Sequence, residues 1–255
     1  MNEASLERDG YEVVRRVIPP TVLRRLVAAV ERVQASVADL PPELLGRLIF
    51  ERDLPAGRRD GVAASDVGDA IFILGDPAAF DGVFWTLLEQ PEIVGAMRKA
   101  LGGANLVAHF MNVTIKHPRF GRGIGWHRDF PNRYACTEGS RFIRAMVCLD
   151  GMSDTSGATA FLPGSHRIGD EEAVALFRAG ERLPEPRGEI GYARCDPGDM
   201  VLIHPKVLHG GSMNRSPRPR RNIVLQAGNT GVPLVVIPEE ERVTGRVMRP
   251  ASAAV

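Results

Sequence analysis

The chain reads as a mainly β protein braced by α-helices, and three observations lead there. From residue 105 onward, short apolar runs at 106–116, 141–149, 158–162, 189–193, 200–203, 222–228 and 234–237 alternate with Gly, Pro and Asp turns. Strands this closely spaced predict a sandwich or barrel. Before residue 105 the pattern is helical: Leu23, Leu26, Val27, Val30, Val33 and Val37 share one face, opposite Arg24, Arg25, Glu31 and Arg32. The only helical stretch within the β region, 170–180, is short and opens on Asp170-Glu171-Glu172, which marks a surface helix. A length of 255 residues suits a single domain, 1–255, with a helical part over about 1–104 and a β core over about 105–240.

The N-terminal elements follow in order. Tyr11-Glu12-Val13-Val14 reads as a strand, stopped by Pro19-Pro20, and Thr21 suits the N-cap of the helix over 22–37. Pro41-Pro42 opens a short helical piece running to 49. The polar, turn-rich segment 51–61 reads as a binding loop or a solvated connection. A buried strand is predicted at 71–74, then helices at 80–90 and 91–101, the second ending at Gly102-Gly103.

Composition narrows the function. Hydrophobic residues make up 44% and charged residues 25%, an ordinary balance for a folded domain. A net charge of +1 provides no bulk field for nucleic acid or an anionic membrane. Arginine dominates the positive charge, since Lys99, Lys116 and Lys206 are the only lysines. Cys136, Cys148 and Cys195 are odd in number and form no C-x-x-C pair. Residues 1–8 lack the apolar centre of a signal peptide, and no apolar run is long enough to span a bilayer. The expected setting is cytoplasmic, and the expected partner a small molecule rather than nucleic acid or membrane.

The chemistry gathers at Gly125-Trp126-His127-Arg128-Asp129-Phe130. On a strand, residues i and i+2 share a face, so His127 and Asp129 reach one metal together while Arg128 turns away. Further on, 199–209 reads as a strand that ends in a histidine. Two histidines and a carboxylate with open coordination positions make the facial triad of non-haem Fe(II) oxygenases. His-Arg-Asp also opens the protein-kinase catalytic loop, but that loop needs Asn five residues after the Asp, where this chain has Tyr134. It also lacks the Gly-rich loop and the Val-Ala-Ile-Lys strand.

More elements follow in order: Pro163-Gly164-Ser165-His166, Pro197-Gly198-Asp199-Met200-Val201-Leu202, His209, Asn214-Arg215-Ser216 and Arg218-Pro219-Arg220-Arg221. Over about residues 105–228 this set resembles the phytanoyl-CoA dioxygenase-like (PhyH) family of Fe(II)/2-oxoglutarate-dependent oxygenases. The resemblance implies a double-stranded β-helix (jelly-roll, cupin-like) and Fe(II) held by His127, Asp129 and His209, with 2-oxoglutarate and O2 as cosubstrates. It also implies that the Arg eleven residues beyond the distal His, Arg220, takes the far carboxylate of 2-oxoglutarate. A planar guanidinium suits that role, because it pairs with a carboxylate through two parallel hydrogen bonds. Arg221, its strand neighbour, faces the other way. Asn112 is a second candidate contact for the cosubstrate. His204, an odd number of residues before His209, faces away from it, and His166 is expected to bind backbone.

The activity implied is hydroxylation of an unactivated C–H bond in a small, anionic substrate: a free or N-substituted amino acid, or a natural-product intermediate. Candidate substrate residues are Phe130, Arg133 and Arg141 around the metal motif, and Arg52 and Arg58 on the 51–61 segment. Some features depart from the family. Arg128 stands where Gln is frequent. Phe130-Pro131-Asn132-Arg133-Tyr134 differs from the aromatic signature of ectoine hydroxylases, which argues against ectoine. No basic stretch suits coenzyme A. An intact Asp129 favours hydroxylation over halogenation. The rival readings are a cupin-like metalloprotein with non-oxygenase chemistry and a non-catalytic binding protein of the same fold.

Overall fold

The computed structural model describes residues 5–103, 105–179, 188–239 and 241–251. In chain order the strands are β1 (Tyr11–Val14), β2 (Leu48–Phe50), β3 (Ile71–Gly75), β4 (Leu106–Lys116), β5 (Ile124–His127), β6 (Cys136–Thr137) and β7 (Phe142–Cys148). They continue with β8 (Thr159–Phe161), β9 (Gly191–Ala193), β10 (Met200–Ile203), β11 (His209–Gly211), β12 (Arg220–Asn229), β13 (Leu234–Val236) and β14 (Val247–Met248). The larger sheet runs β1-β10-β7-β12-β4-β3-β2, with β14 beside β4, and the smaller runs β5-β11-β8-β9. β13 and β6 form a separate ribbon. Every pairing is antiparallel. The two sheets face each other as a double-stranded β-helix.

The period-two alternation of the strands sorts side chains into two layers. On β7, Ile143, Ala145 and Val147 join the core outside the larger sheet, while Met146 and Cys148 point between the sheets. β12 sends Ile223, Leu225 and Ala227 outward, and β10 sends Met200 and Leu202 outward but Val201 and Ile203 inward. The helices are α1 (Leu6–Asp9), α2 (Pro20–Ala35), α3 (Pro42–Leu45), α4 (Ala64–Val67), α5 (Pro91–Ala100) and α6 (Asp170–Ala179). Leu26, Val30 and Val33 of α2 and Ile93, Val94 and Met97 of α5 cover the outward face. Each such side chain, fully buried, contributes about 1.5–3 kcal/mol, so this layer fastens the sheet to its brace.

Several elements differ from their sequence-based expectation. α2 begins at Pro20, capped by Pro19 with no side-chain hydrogen bond, so Thr21 is not the N-cap. Proline suits the first helical position, since its missing N–H would be unpaired there anyway. The helical piece from Pro42 stops at Leu45, and 48–50 becomes an edge strand with Leu48 and Phe50 buried and Ile49 exposed. Tertiary pairing with β3 decides this short apolar run. Residues 82–88 wind as a 3-10 helix opened by Asp81, whose side chain accepts from the Val83 N–H. The strand predicted to end at His209 ends at Ile203, and His209 opens β11 in the other sheet.

The 51–61 segment is pinned from inside. The Arg59 guanidinium, 1% exposed, donates to the carbonyls of Glu51 (2.6 Å), Leu54 (2.8 Å) and Val62 (2.6 Å). The buried Glu51 carboxylate lies 3.8 Å from Arg59 and 3.6 Å from Arg122. Among the described residues no helix is long and apolar enough to cross a membrane.

Near the C-terminal end Glu241 is pushed up to about 7, first by burial and then by the charge of Asp76. The folded state therefore prefers Glu241 protonated. Its contribution is fully present below the ordinary value of 4.5 and is lost as pH rises toward 7. Glu241→Gln should raise the midpoint of thermal unfolding at pH 8 and change it far less at pH 5. An equal gain at both pH values would contradict this.

Candidate active site

Between the sheets lies a cavity of about 230 Å³. His127, Asp129 and His209 meet in its wall, each donor atom within 4.8 Å of the others. His127 ends β5 and His209 begins β11. The two residues are direct partners in the β5/β11 register, which sets their rings 4.2 Å apart. Asp129 is not on the strand. It lies in the following loop, clamped by the Asp129 and Phe130 N–H groups donating to the Pro205 carbonyl at 2.9 and 2.8 Å. The turn before β11 thus holds the loop after β5.

The histidine tautomers follow from their partners. Nδ1 of His127 lies 2.9 Å from the Gly125 carbonyl, and Nδ1 of His209 lies 3.0 Å from the Val207 carbonyl. A carbonyl only accepts, so each Nδ1 carries the hydrogen and each Nε2 keeps its lone pair for the cavity. Nε2 of His127 is 3.6 Å from Asp129 Oδ1, and Nε2 of His209 is 3.8 Å from Oδ2. Burial, with help from the nearby His127 charge, pushes His209 down to about 4. Burial alone would raise Asp129, yet the charges of Arg144, His209 and His127 overcome it and hold the carboxyl below its usual range. Oδ2 of Asp129 is buried and accepts no hydrogen bond. A carboxylate with one orphaned oxygen, set beside two imidazole Nε2 atoms, fits a divalent cation of the iron group.

The cavity's other pole is cationic. Arg220 and Lys116 are partners across β12 and β4, 2% and 0% exposed. Arg220 Nη2 donates to the Gly157 carbonyl at 2.8 Å, and Lys116 Nζ donates to the same carbonyl at 3.4 Å and to that of Ser212. With the Asn222 amide oriented to satisfy both its ends, its oxygen accepts from Arg220 Nη1 at 2.9 Å. Gly157 has φ +74°, and a Cβ there would collide with the Ser212 carbonyl, so only glycine supplies this shared acceptor. Burial pushes Arg220 down to about 10; burial, then Arg220, pushes Lys116 well below its ordinary value. Among the described residues no carboxylate forms an ion pair with either cation. Two buried cations without an anion of their own fit a bound carboxylate. Arg221 points the other way, to Asp150 at 2.6 Å and to Glu31 of α2 at 3.0 Å.

Residues 6–222 match the phytanoyl-CoA dioxygenase (PhyH) family. The chain belongs to that family. Membership places it among the Fe(II)/2-oxoglutarate-dependent dioxygenases. It is 24% identical over 241 residues to an ectoine dioxygenase of Bordetella bronchiseptica, covering 87% of this chain and 72% of that one. It is 27% identical over 193 residues to an L-proline trans-4-hydroxylase of Streptomyces griseoviridis, covering 66% and 70%. Among solved structures, EctD from S. alaskensis with bound Fe superposes with a TM-score of 0.71 at 21% identity, covering 96% of this chain and 84% of that one. The nogalamycin-biosynthesis epimerase SnoN gives 0.69 at 17% identity, covering 97% and 92%. At these identities the structural likeness concerns the fold.

Within this family member the remaining candidate residues sort clearly. Asn112 lines the cavity, its Oδ1 buried without a partner. None of the five candidate substrate residues lines it. Phe130 is buried in a separate cluster with Cys136, Phe142 and Ala173. Arg133 is exposed and lies over the Phe177 ring of α6 at 5.5 Å. Arg141 is exposed. Arg52 pairs with Asp69 and lies over Phe50 at 4.4 Å. Arg58 is exposed, its guanidinium against the Cα of Gly125. The polar lining comes instead from Arg144, Tyr134, Thr114 and Thr159, with Lys116 behind Arg220. Arg144 carried a sequence signal: it is the one charge inside the apolar run Phe142–Cys148, at an inward position. Lys116 carried none, since its place depends on strand pairing.

His127→Ala and His209→Ala should each abolish tight Mn(II) or Fe(II) binding in anaerobic titration, since each removes one of three donors. Undiminished metal affinity in either variant would contradict the assignment. Tight binding by His209→Ala that disappears on adding His204→Ala would move the third donor to His204.

Proposed function

We propose that this chain uses Fe(II), 2-oxoglutarate and O2 to hydroxylate an unactivated C–H bond of a small anionic molecule of the amino-acid class. The observation that carries the reading is one cavity with His127, Asp129 and His209 at one pole and Arg220 with Lys116 at the other. Nε2 of each histidine and a carboxylate oxygen of Asp129 would hold Fe(II). The guanidinium of Arg220, backed by Lys116, would take the far carboxylate of 2-oxoglutarate. Asn112 projects from the same face of β4 as Thr114 and Lys116 and offers a further polar contact. When bound, the metal and its cosubstrates supply the oxidising chemistry.

The chain's own residues bind, orient and keep the pocket dry. Phe72, Ile73, Ile124, Met146, Ile203 and Val224 form apolar walls, which exclude water and strengthen the ionic contacts at both poles. Size supports a small substrate. The cavity of about 230 Å³ is smaller than the 300–1,000 Å³ typical of drug-sized ligands. Among the described lining residues Asp129 is the one carboxylate; Arg144 answers it, and Arg220 is left for the cosubstrate. A relative named as an L-proline trans-4-hydroxylase supports the amino-acid reading.

Two measurements test this. Anaerobic addition of Fe(II) and 2-oxoglutarate should produce the weak visible absorption of a metal–cosubstrate chelate, and aerobic screening of amino acids, with L-proline and ectoine included, should show substrate-dependent succinate release. No chelate band and no succinate would overturn the reading in favour of non-oxygenase chemistry. Separately, Arg220→Ala should raise the 2-oxoglutarate requirement strongly. Breaking a buried charge pair costs on the order of 2–5 kcal/mol, or roughly 30- to 5,000-fold. Arg221→Ala should leave that requirement nearly unchanged and lower thermal stability, because it unpairs Asp150 and Glu31. A reversed pattern would mean that the cosubstrate is anchored elsewhere.

A further inference from the structure

Asp129 has a partner that no part of the reading above requires. Arg144, on β7, is buried and donates from Nη1 to Asp129 Oδ1. The same guanidinium is held on its other edges: Nε donates to Gln226 Oε1 at 3.1 Å, and Nη2 donates to the Tyr134 hydroxyl at 2.5 Å. Its plane packs against the Phe110 ring at 5.1 Å. Gln226 is itself fixed, its amide nitrogen 3.1 Å from His109 Nδ1 and donating to the Ala135 carbonyl at 3.0 Å. A chain of hydrogen bonds thus runs from β4 through Gln226 on β12 and Arg144 on β7 to the loop carboxylate. Oδ1 is engaged at its end, while Oδ2 accepts nothing.

We propose that Arg144 is the positioning residue of the metal site: by holding Oδ1 it fixes the rotation of the Asp129 carboxylate and leaves Oδ2 as the single ligating oxygen. Two features favour positioning over simple charge balance. A guanidinium presents its donors in a rigid plane, so three fixed partners fix the direction of the fourth contact. And Asp129 lies in a loop rather than on a strand, so the backbone alone does not orient it. Arg144 therefore does for the carboxylate what the Gly125 and Val207 carbonyls do for the two histidines. The role rests on the three-donor metal site proposed above.

The test is anaerobic calorimetric titration of the full chain with Mn(II) alone, without cosubstrate, for wild type, Arg144→Met, Arg144→Lys and Gln226→Met, each checked by thermal unfolding. Arg144→Met should bind Mn(II) about 10- to 100-fold more weakly, the usual effect of losing an outer partner of a metal ligand. Arg144→Lys, which restores the charge without the planar fork, should stay weak. Gln226→Met, which keeps the Arg144 charge but frees its Nε edge, should lose about tenfold, the lower end of that range. Tighter Mn(II) binding by Arg144→Met would show that Arg144 merely competes with the cation, and full recovery in Arg144→Lys would show that charge alone matters. Either overturns the proposal. If Arg144→Met does not fold, Gln226→Met decides, and wild-type affinity there overturns it as well. Failure of wild type to bind Mn(II) would instead overturn the metal site.

Discussion

A carboxylate buried to 1% exposure must be compensated, and most of this cavity answers that requirement for Asp129. Moving an isolated carboxylate out of water costs several kcal/mol even after relaxation, and an uncharged Asp129 would be a poor ligand. Arg144 keeps it ionised and occupies one oxygen. Arg144 in turn is a buried cation that needs acceptors, and Gln226 and Tyr134 provide them. The two histidines, each with Nδ1–H bonded to a backbone carbonyl, complete the ring with Nε2 turned to the cavity. Removing any one partner leaves another buried polar group unsatisfied, which is why these residues act together.

β12 runs from the cavity's cationic pole to the hydrogen-bond network behind Asp129. Arg220, Asn222, Val224 and Gln226 alternate onto its inner face, from the Lys116 pole to the Arg144 pole. The intervening residues Arg221, Ile223 and Leu225 face outward, where Arg221 pairs with α2 through Glu31 and the aliphatic side chains meet the helices. A slip of one residue would exchange the two faces, carrying Arg220 out of the cavity and Gln226 away from Arg144. The helical layer, remote from the chemistry, therefore also fixes the register of the site.

Contrasts between neighbouring residues show what local reading can and cannot reach. His127 and Asp129 were legible from residue type and a two-residue spacing, which are properties of the chain itself, and Arg220 from the family resemblance. Phe130, Arg133 and Arg141 are close in sequence to the metal motif, yet none lines the cavity. The loop after β5 folds back on Pro205, which carries Phe130 into a separate apolar cluster and Arg133 onto α6. Nearness along the chain gave no guide to direction, because a loop has no fixed period. His209 was recognised while its strand was misplaced, since the apolar run 200–203 and the histidine belong to different sheets.

While the choice of Arg220 came from the family resemblance, the sequence by itself determined the alternation of the long strands, the amphipathic helices that brace them and the opposite facing of Arg220 and Arg221. These follow from periods of two and 3.6 residues, which act over a few neighbours. Only the tertiary structure decided that Lys116 stands beside Arg220, that Arg144 reaches Asp129 and that Gln226 holds Arg144. Each of those contacts joins residues on different strands, or on a strand and a loop. Its existence depends on sheet order and register, which are set by burial across the whole fold rather than by any local pattern.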